Sequence, residues 1–270
     1  MPKNTLQNLL GFLVIFLFVL SACGGGTTPT NEPANGNGDS SSSNGETEEP
    51  GLPVPSDTVS ADIHLDPAVV SLDAADSLLV SSFVYEGLVG LASNSEVVPA
   101  LAESWTISED QLDYIFVLRP DAVFHDGTPL TADVVMDNFN RWFDPENPLH
   151  GDGIYEAWET YFLGFKGDLN ADDTPVSSFD GIEKVDDRTV LIHLNRIVPE
   201  FLEYITKPSF SILNPVALET HGDAYGTSTD SVSGTGPYMV SEWSTEMLVL
   251  EPYSGYWGTP QAEAIEFGFD

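Results

Sequence analysis

Apolar residues recur along this chain with two different periods, and the changes between them mark out its elements. From Thr58 to Leu65 the apolar positions Val59, Ala61, Ile63 and Leu65 fall on every second residue, which predicts a strand. Asp66-Pro67 breaks it. From Ala74 to Leu91 the spacing becomes helical through Leu78, Leu79, Phe83, Val84 and Leu88, with Gly87 and Gly90 near the end. Val97–Trp105 is a short apolar approach to a tryptophan, and Gln111–Leu118 (QLDYIFVL) has the aromatic and β-branched content of a strand.

The stretch Phe124–Trp142 (FHDGTPLTADVVMDNFNRW) is the most legible. Asp126-Gly127 predicts a turn, because glycine reaches positive φ freely and an aspartate bonds its own backbone. Thr131 suits an N-cap, and Asp133 suits the positive end of the helix dipole. Val135, Phe139 and Trp142 then form one apolar stripe at i, i+4 and i+7, Arg141 lies in the last turn, and Asp144–Pro148 stops the helix. Downstream, Asp187–Leu194 predicts a strand, Glu200–Ile205 a short helix, and Tyr238–Trp243 with Met247–Pro252 a hairpin about Ser244-Thr245-Glu246. Ile265–Phe269 begins a last strand. Strands and helices mix without strict alternation or internal repeat, so the fold class is mixed α/β, of the α+β kind.

Upstream of residue 57 the pattern is different. Leu9–Leu20 is an unbroken apolar run of 12 residues behind Lys3, too short to span a bilayer core of about 30 Å but of the length of a signal-peptide core. It ends in Leu20-Ser21-Ala22-Cys23, which resembles the lipobox of bacterial lipoproteins and implies a lipid on Cys23, the single cysteine of the chain. Two or more acyl chains there hold a protein stably on a membrane. Residues 23–56 carry that cysteine and a segment rich in Gly, Ser, Asn, Thr, Pro and Glu, which cannot bury enough surface to offset ordering and reads as a flexible tether. The sequence thus divides into a signal peptide (1–22), an anchor and tether (23–56) and a globular part (57–270).

Charge narrows the partners. Eight Lys and Arg against 43 Asp and Glu give a net charge of −35, which repels phosphate backbones and excludes nucleic acid as a partner. The acidity fits a solvated surface, or a protein adapted to salt that screens the self-repulsion. One cysteine excludes an internal disulfide and a thiolate zinc cage.

Little in the chain points to an enzyme or a cofactor. His125-Asp126 has the look of a dyad, but sequence neighbours point apart and the turn uses Asp126. There is no HExxH, no GxSxG and no phosphate-cradling glycine loop. Asp168, Asn170 and Asp172 have the 1-3-5 spacing of a calcium loop, yet Asp173 stands at position 6 and Phe179 at position 12, so an acidic surface loop is the reading and no metal site is assigned.

Seven segments in order resemble the extracytoplasmic solute-binding proteins of oligopeptide, dipeptide and nickel ABC importers. They are LDPA (65–68), YEGLV (85–89), VPALAESW (98–105), FHDGTPLTADVV (124–135), VDDRTVLIHL (185–194), GTGPY (234–238) and YWG (256–258). The resemblance implies a periplasmic-binding-protein-like fold of two lobes that close on a ligand, of which this chain covers mainly the first. It implies a monomer on the extracytoplasmic side, with a small solute (an oligopeptide or dipeptide first) and ABC permease subunits as partners. A sensory or scaffolding lipoprotein of the same fold is the alternative.

By the same resemblance, Val70, Ser71, Leu72 and Asp73 match a strand-like edge laid beside the ligand backbone. Ser71 stands where peptide binders often have an acid. Lys207 matches a position lining a ligand side-chain pocket, and His150 lies near another cleft position. The structural alternatives are a surface loop, a helix-end lysine and a solvated histidine.

Overall fold

The computed structural model describes residues 58–259 and 263–269. The signal-peptide segment, Cys23 and the tether lie outside them.

The protein is built on two four-stranded sheets with separate cores. The chain enters through β1 (Thr58–Val59), passes α1 (Ala75–Val84), and forms a small antiparallel pair from β2 (Val89–Leu91) and β3 (Val97–Pro99). β4 (Ala102–Ile107), β5 (Asp113–Leu118), β6 (Phe179–Asp186) and β7 (Thr189–Leu194) make an antiparallel sheet in the order β4-β5-β7-β6. The segment between β5 and β6 carries α2 (Ala132–Phe143) and α3 (Glu156–Phe162). After β7 come α4 (Phe201–Tyr204) and α5 (Pro215–His221). β8 (Tyr238–Trp243), β9 (Met247–Pro252) and β10 (Ile265–Phe269) complete a second sheet in the order β1-β10-β9-β8, parallel only between β1 and β10.

Period-2 alternation decides which face of the β4–β7 sheet is covered. Tyr114, Phe116 and Leu118 of β5 and Val190, Ile192 and Leu194 of β7 are buried, while the residues between them face outward. Over that face lie α2, with Val135, Phe139 and Trp142 all fully buried, and α3 with Trp158 and Phe162. The core there is dense in aromatic rings. Phe139 stacks on Phe179 at 5.8 Å, and Trp158 meets Phe162 at 4.5 Å and Phe179 at 5.1 Å. Large rings supply much of the buried apolar area of such a core. The second core packs Val80, Phe83 and Val84 of α1 against Tyr238, Val240, Leu248, Leu250 and Phe267.

The signals around α2 are realised as read. Gly127 takes φ +84°, Asp126 Oδ1 accepts from the Thr128 N–H at 2.8 Å, and Thr131 Oγ1 accepts from the Val134 N–H at 3.3 Å.

Other elements depart from their patterns. The strand read over 58–65 is limited to Thr58–Val59. Beyond it the His64 N–H turns to the Ser77 hydroxyl at 3.0 Å and the Leu65 N–H to the Gly226 carbonyl at 2.8 Å, so no ladder continues. The helix read over 74–91 stops at Val84, because Tyr85 is extended (φ −123°, ψ 159°) and its buried hydroxyl donates to the Leu65 carbonyl at 2.8 Å. The apolar run 97–105 divides between β3 and β4. β6, α3 and α5 went unread.

Candidate functional site

The candidate residues are arranged about α3. Glu156, at its start, receives the Ser71 hydroxyl at 2.6 Å and the Leu72 N–H at 3.0 Å on one carboxylate oxygen. The Ser71 hydroxyl, and behind it the Leu72 N–H, hold the Glu156 carboxyl below the usual range. At the other end, Lys207 Nζ lies 5.3 Å from the centroid of the Tyr161 ring. Five residues separate Glu156 from Tyr161, about 7.5 Å along a helix axis, so the 70–73 loop and Lys207 flank one short helix.

His150 joins them through the residue that precedes α3. Its ring stacks on Tyr155 at 4.1 Å and 20°, its Nδ1–H donates to the Arg141 carbonyl at 2.7 Å, and its own carbonyl accepts from the Tyr155 hydroxyl at 2.7 Å. Burial pushes the imidazole below its ordinary pKa, and the Arg141 charge acts in the same direction. His150 is therefore a packed, hydrogen-bonded residue rather than a solvated loop histidine.

Beneath this corner lies a charge pair that spacing along the chain could not show. Arg141 and Asp66 are almost wholly buried and meet in a two-pronged ion pair, with Arg141 Nη1 3.2 Å from Asp66 Oδ1 and the second prong between Nη2 and Oδ2. Arg141 Nε donates to the Leu149 carbonyl at 2.9 Å. The pair ties the loop after β1 to the end of α2. It also forms part of a groove of about 770 Å³ whose walls include His64, Val69, His150, Pro215 and Tyr225. His150 lines that groove, but Val70, Ser71, Leu72, Asp73 and Lys207 do not.

Two features of α3 and its surroundings bear on function. Tyr155 (φ 49°) and Leu163 (φ 74°), the residues at its two ends, both take left-handed backbone without being glycine. Such conformations cost on the order of 1–2 kcal/mol each and persist where surrounding structure imposes them. The loop 70–73 is turn and coil rather than the strand-like edge expected, because the Leu72 N–H is committed to Glu156. The N–H groups of Val70, Ser71 and Asp73 make no hydrogen bond among the described residues.

The other motifs resolve into structure. His125 Nε2–H donates to the Gly236 carbonyl at 3.1 Å and Nδ1 accepts from the Gly234 N–H at 3.2 Å, while Asp126 Oδ2 accepts from Asn214 at 2.8 Å, so the two form no dyad. Asp168 accepts from the Phe165 N–H at 2.8 Å and Asp172 from the Thr174 hydroxyl at 2.7 Å, each serving its own turn. Glu156, Tyr155 and Tyr161 were not singled out in the sequence, where EAWETYF carries no recognisable cap.

A family model described as bacterial extracellular solute-binding proteins, family 5 Middle, matches residues 96–269. The chain belongs to this family. It is 32% identical over 198 residues to the glutathione-binding protein GsiB of Escherichia coli K12, covering 72% of this chain and 34% of GsiB, and the GsiB of Pectobacterium atrosepticum matches to the same extent. The chain thus spans about a third of the length of these curated relatives. Among solved structures, the DppA periplasmic binding protein of Helicobacter pylori in complex with the peptide STSA superposes with a TM-score of 0.66 at 26% identity, over 78% of this chain and 41% of that one. HbpA2 of Haemophilus parasuis gives 0.66 at 29%, over 79% and 42%. The family 5 fold is a mixed α/β fold of the periplasmic-binding-protein kind, and the chain covers part of it. Among the described residues no helix is long and apolar enough to cross a membrane.

Proposed function

We propose that this chain supplies the first-lobe part of an extracytoplasmic binding protein that takes a small, peptide-like solute and delivers it to an ABC importer. In this reading Cys23 carries the lipid that holds the protein at the membrane, residues 23–56 are its tether, and the lobe begins at about residue 57. The observation that supports the solute reading is the arrangement about α3, with the 70–73 loop bonded at its start, His150 stacked on Tyr155 ahead of it and Lys207 beside Tyr161. The N–H groups of Val70, Ser71 and Asp73, which have no partner among the described residues, are suited to main-chain recognition that tolerates many side chains. The names of relatives and neighbours, glutathione-binding and peptide-bound, favour short peptides.

Native mass spectrometry of the full-length protein, as purified and after addition of glutathione and a set of di- to tetrapeptides, tests the proposal. Mass additions matching one of these solutes are expected. A protein that retains none of them at millimolar peptide rules out the peptide-like class.

A further inference from the structure

The two cores meet at a partly buried acid that the solute reading does not use. Glu86 stands between Tyr85, which packs in the core of the β8–β10 sheet, and Leu88, which packs in that of the β4–β7 sheet. Its own carbonyl accepts from the Ile212 N–H at 2.8 Å, which fixes its backbone. One carboxylate oxygen accepts from the Tyr256 hydroxyl at 3.0 Å, and the other from the Trp257 indole N–H at 3.0 Å. Trp257 belongs to the connection from β9 to β10, two strands of the second sheet, yet its side chain packs against the first core. The connection therefore crosses from one core to the other and is fastened there by Glu86.

No cation shares that fastening directly. Arg119, just after β5, lies over the Trp257 ring at 3.6 Å and gives its Nε–H to the Ala100 carbonyl at 2.5 Å. Among the described residues no Lys, Arg or His nitrogen comes within 4.0 Å of the Glu86 carboxylate. The Thr235 hydroxyl faces it from the loop before β8, so the groups around it are Tyr256, Trp257, Thr235 and, farther off, the Arg119 charge. Neutral donors replace only part of the hydration that an ionised carboxylate loses. Burial accordingly raises the Glu86 pKa from 4.5 to about 7, against the hydrogen bonds and Arg119. With Tyr256 and Trp257 lifted away, the same carboxylate regains water and its ordinary value.

We propose that Glu86 is a proton-operated clasp on the β9–β10 connection: its neutral form holds Tyr256 and Trp257 down across the junction of the two cores, and its ionised form lets the segment open. Protonation keeps both contacts, since one oxygen goes on accepting while the carboxyl O–H can donate to the Tyr256 oxygen. The proton balance gives the direction. Between pH 4.5 and 7 the closed clasp binds more protons than the open one, so closure is strongest at acid pH and weakens as pH rises through 7. The opening is local, because the β4–β7 sheet has its own ladder and core.

Hydrogen–deuterium exchange of the full-length protein, read by mass spectrometry from pH 5.5 to 9 and corrected for the intrinsic exchange rate, tests the clasp. A carboxyl that titrates at about 7 when closed and 4.5 when open raises the opening constant of residues 253–258 by about 25-fold between pH 5.5 and 8, and by less where water already reaches it. We expect a rise of five- to 25-fold in wild type and of less than twofold in Glu86→Gln. At pH 8 the wild-type segment should open at least tenfold more often than β5 and β7. A wild-type rise under fivefold, or the same rise in Glu86→Gln, overturns the proposal. So does a segment that opens no more often than β5 and β7, which marks global unfolding instead. Should Glu86→Gln fail to fold, Tyr256→Phe decides: losing one donor to the carboxylate moves the midpoint of the rise to higher pH, and an unmoved midpoint overturns the clasp.

Discussion

Replacing His125 changes how stability depends on pH, and the structure sets both sign and size. The imidazole is held neutral between the Gly234 N–H and the Gly236 carbonyl, an arrangement that needs a bare Nδ1 and a protonated Nε2. Burial lowers its pKa from 6.5 to about 4, against the smaller opposing effects of the Gly236 carbonyl and Asp126. In the unfolded chain the same residue takes a proton near 6.5. Between these values the unfolded state binds more protons than the folded one, so stability present above pH 6.5 is lost as pH falls to about 4. At 1.36 kcal/mol per pKa unit the full loss is about 3 kcal/mol, and partial exposure of the ring makes that an upper value.

Glu86 works in the opposite sense. Desolvation raises it to about 7, against hydrogen bonds donated by Trp257 and Tyr256 and the charge of Arg119, so its contribution falls as pH rises from 4.5 to 7. The absolute profile therefore mixes opposing slopes, and the informative quantity is a difference. Urea unfolding of wild type and His125→Gln, followed by tryptophan fluorescence from pH 4 to 8 at fixed ionic strength, gives it directly. The stability gap between the two should be largest above pH 6.5 and shrink by about 2–3 kcal/mol by pH 4. A gap constant across that range would refute the buried neutral histidine.

Two further outcomes follow from packing. Asp66→Asn leaves the Arg141 guanidinium buried without its counter-charge and should cost roughly 3–5 kcal/mol in chemical denaturation, with Arg141→Met in the same chain recovering part of it; a loss under about 1 kcal/mol would show the pair to be hydrated. Gly234→Ala sets a Cβ 1.9 Å from the Val84 carbonyl oxygen, which is backbone and cannot swing aside. It should lower the melting temperature by many degrees or prevent folding, and a variant as stable as wild type would mean that the 234–236 loop sits elsewhere.

Legibility from the sequence followed whether an element carries its own determinants. α2 brings its turn, cap, stripe and stop within 20 or so residues, and all of them appear. β6 is an edge strand with most side chains exposed (Phe179 and Ile182 are its buried positions), so it shows no sustained alternation. α3 is bounded by Tyr155 and Leu163 in left-handed backbone that no local residue announces. Tertiary contacts, not propensity, end α1 at Tyr85. Of the site, the resemblance supplied the 70–73 loop, His150 and Lys207. The helix that gathers them, and the Asp66–Arg141 pair across 75 residues, depend on packing that spacing does not encode. Arg141 read as a helix-end charge and proved to be a buried one.

The parallel pairing of β1 with β10 bears on the order in which the molecule can form. Thr58 lies opposite Gly268 and Val59 opposite Phe269, a separation of about 210 residues. β4 to β7, by contrast, pair within residues 102–194. Loop closure grows costlier with length, and contacts distant in sequence slow folding. On a ribosome the β4–β7 sheet can close while the rest is still being made, whereas β1 must wait, its edge unpaired, until β10 has emerged. That late strand keeps one sheet open until synthesis has passed residue 269.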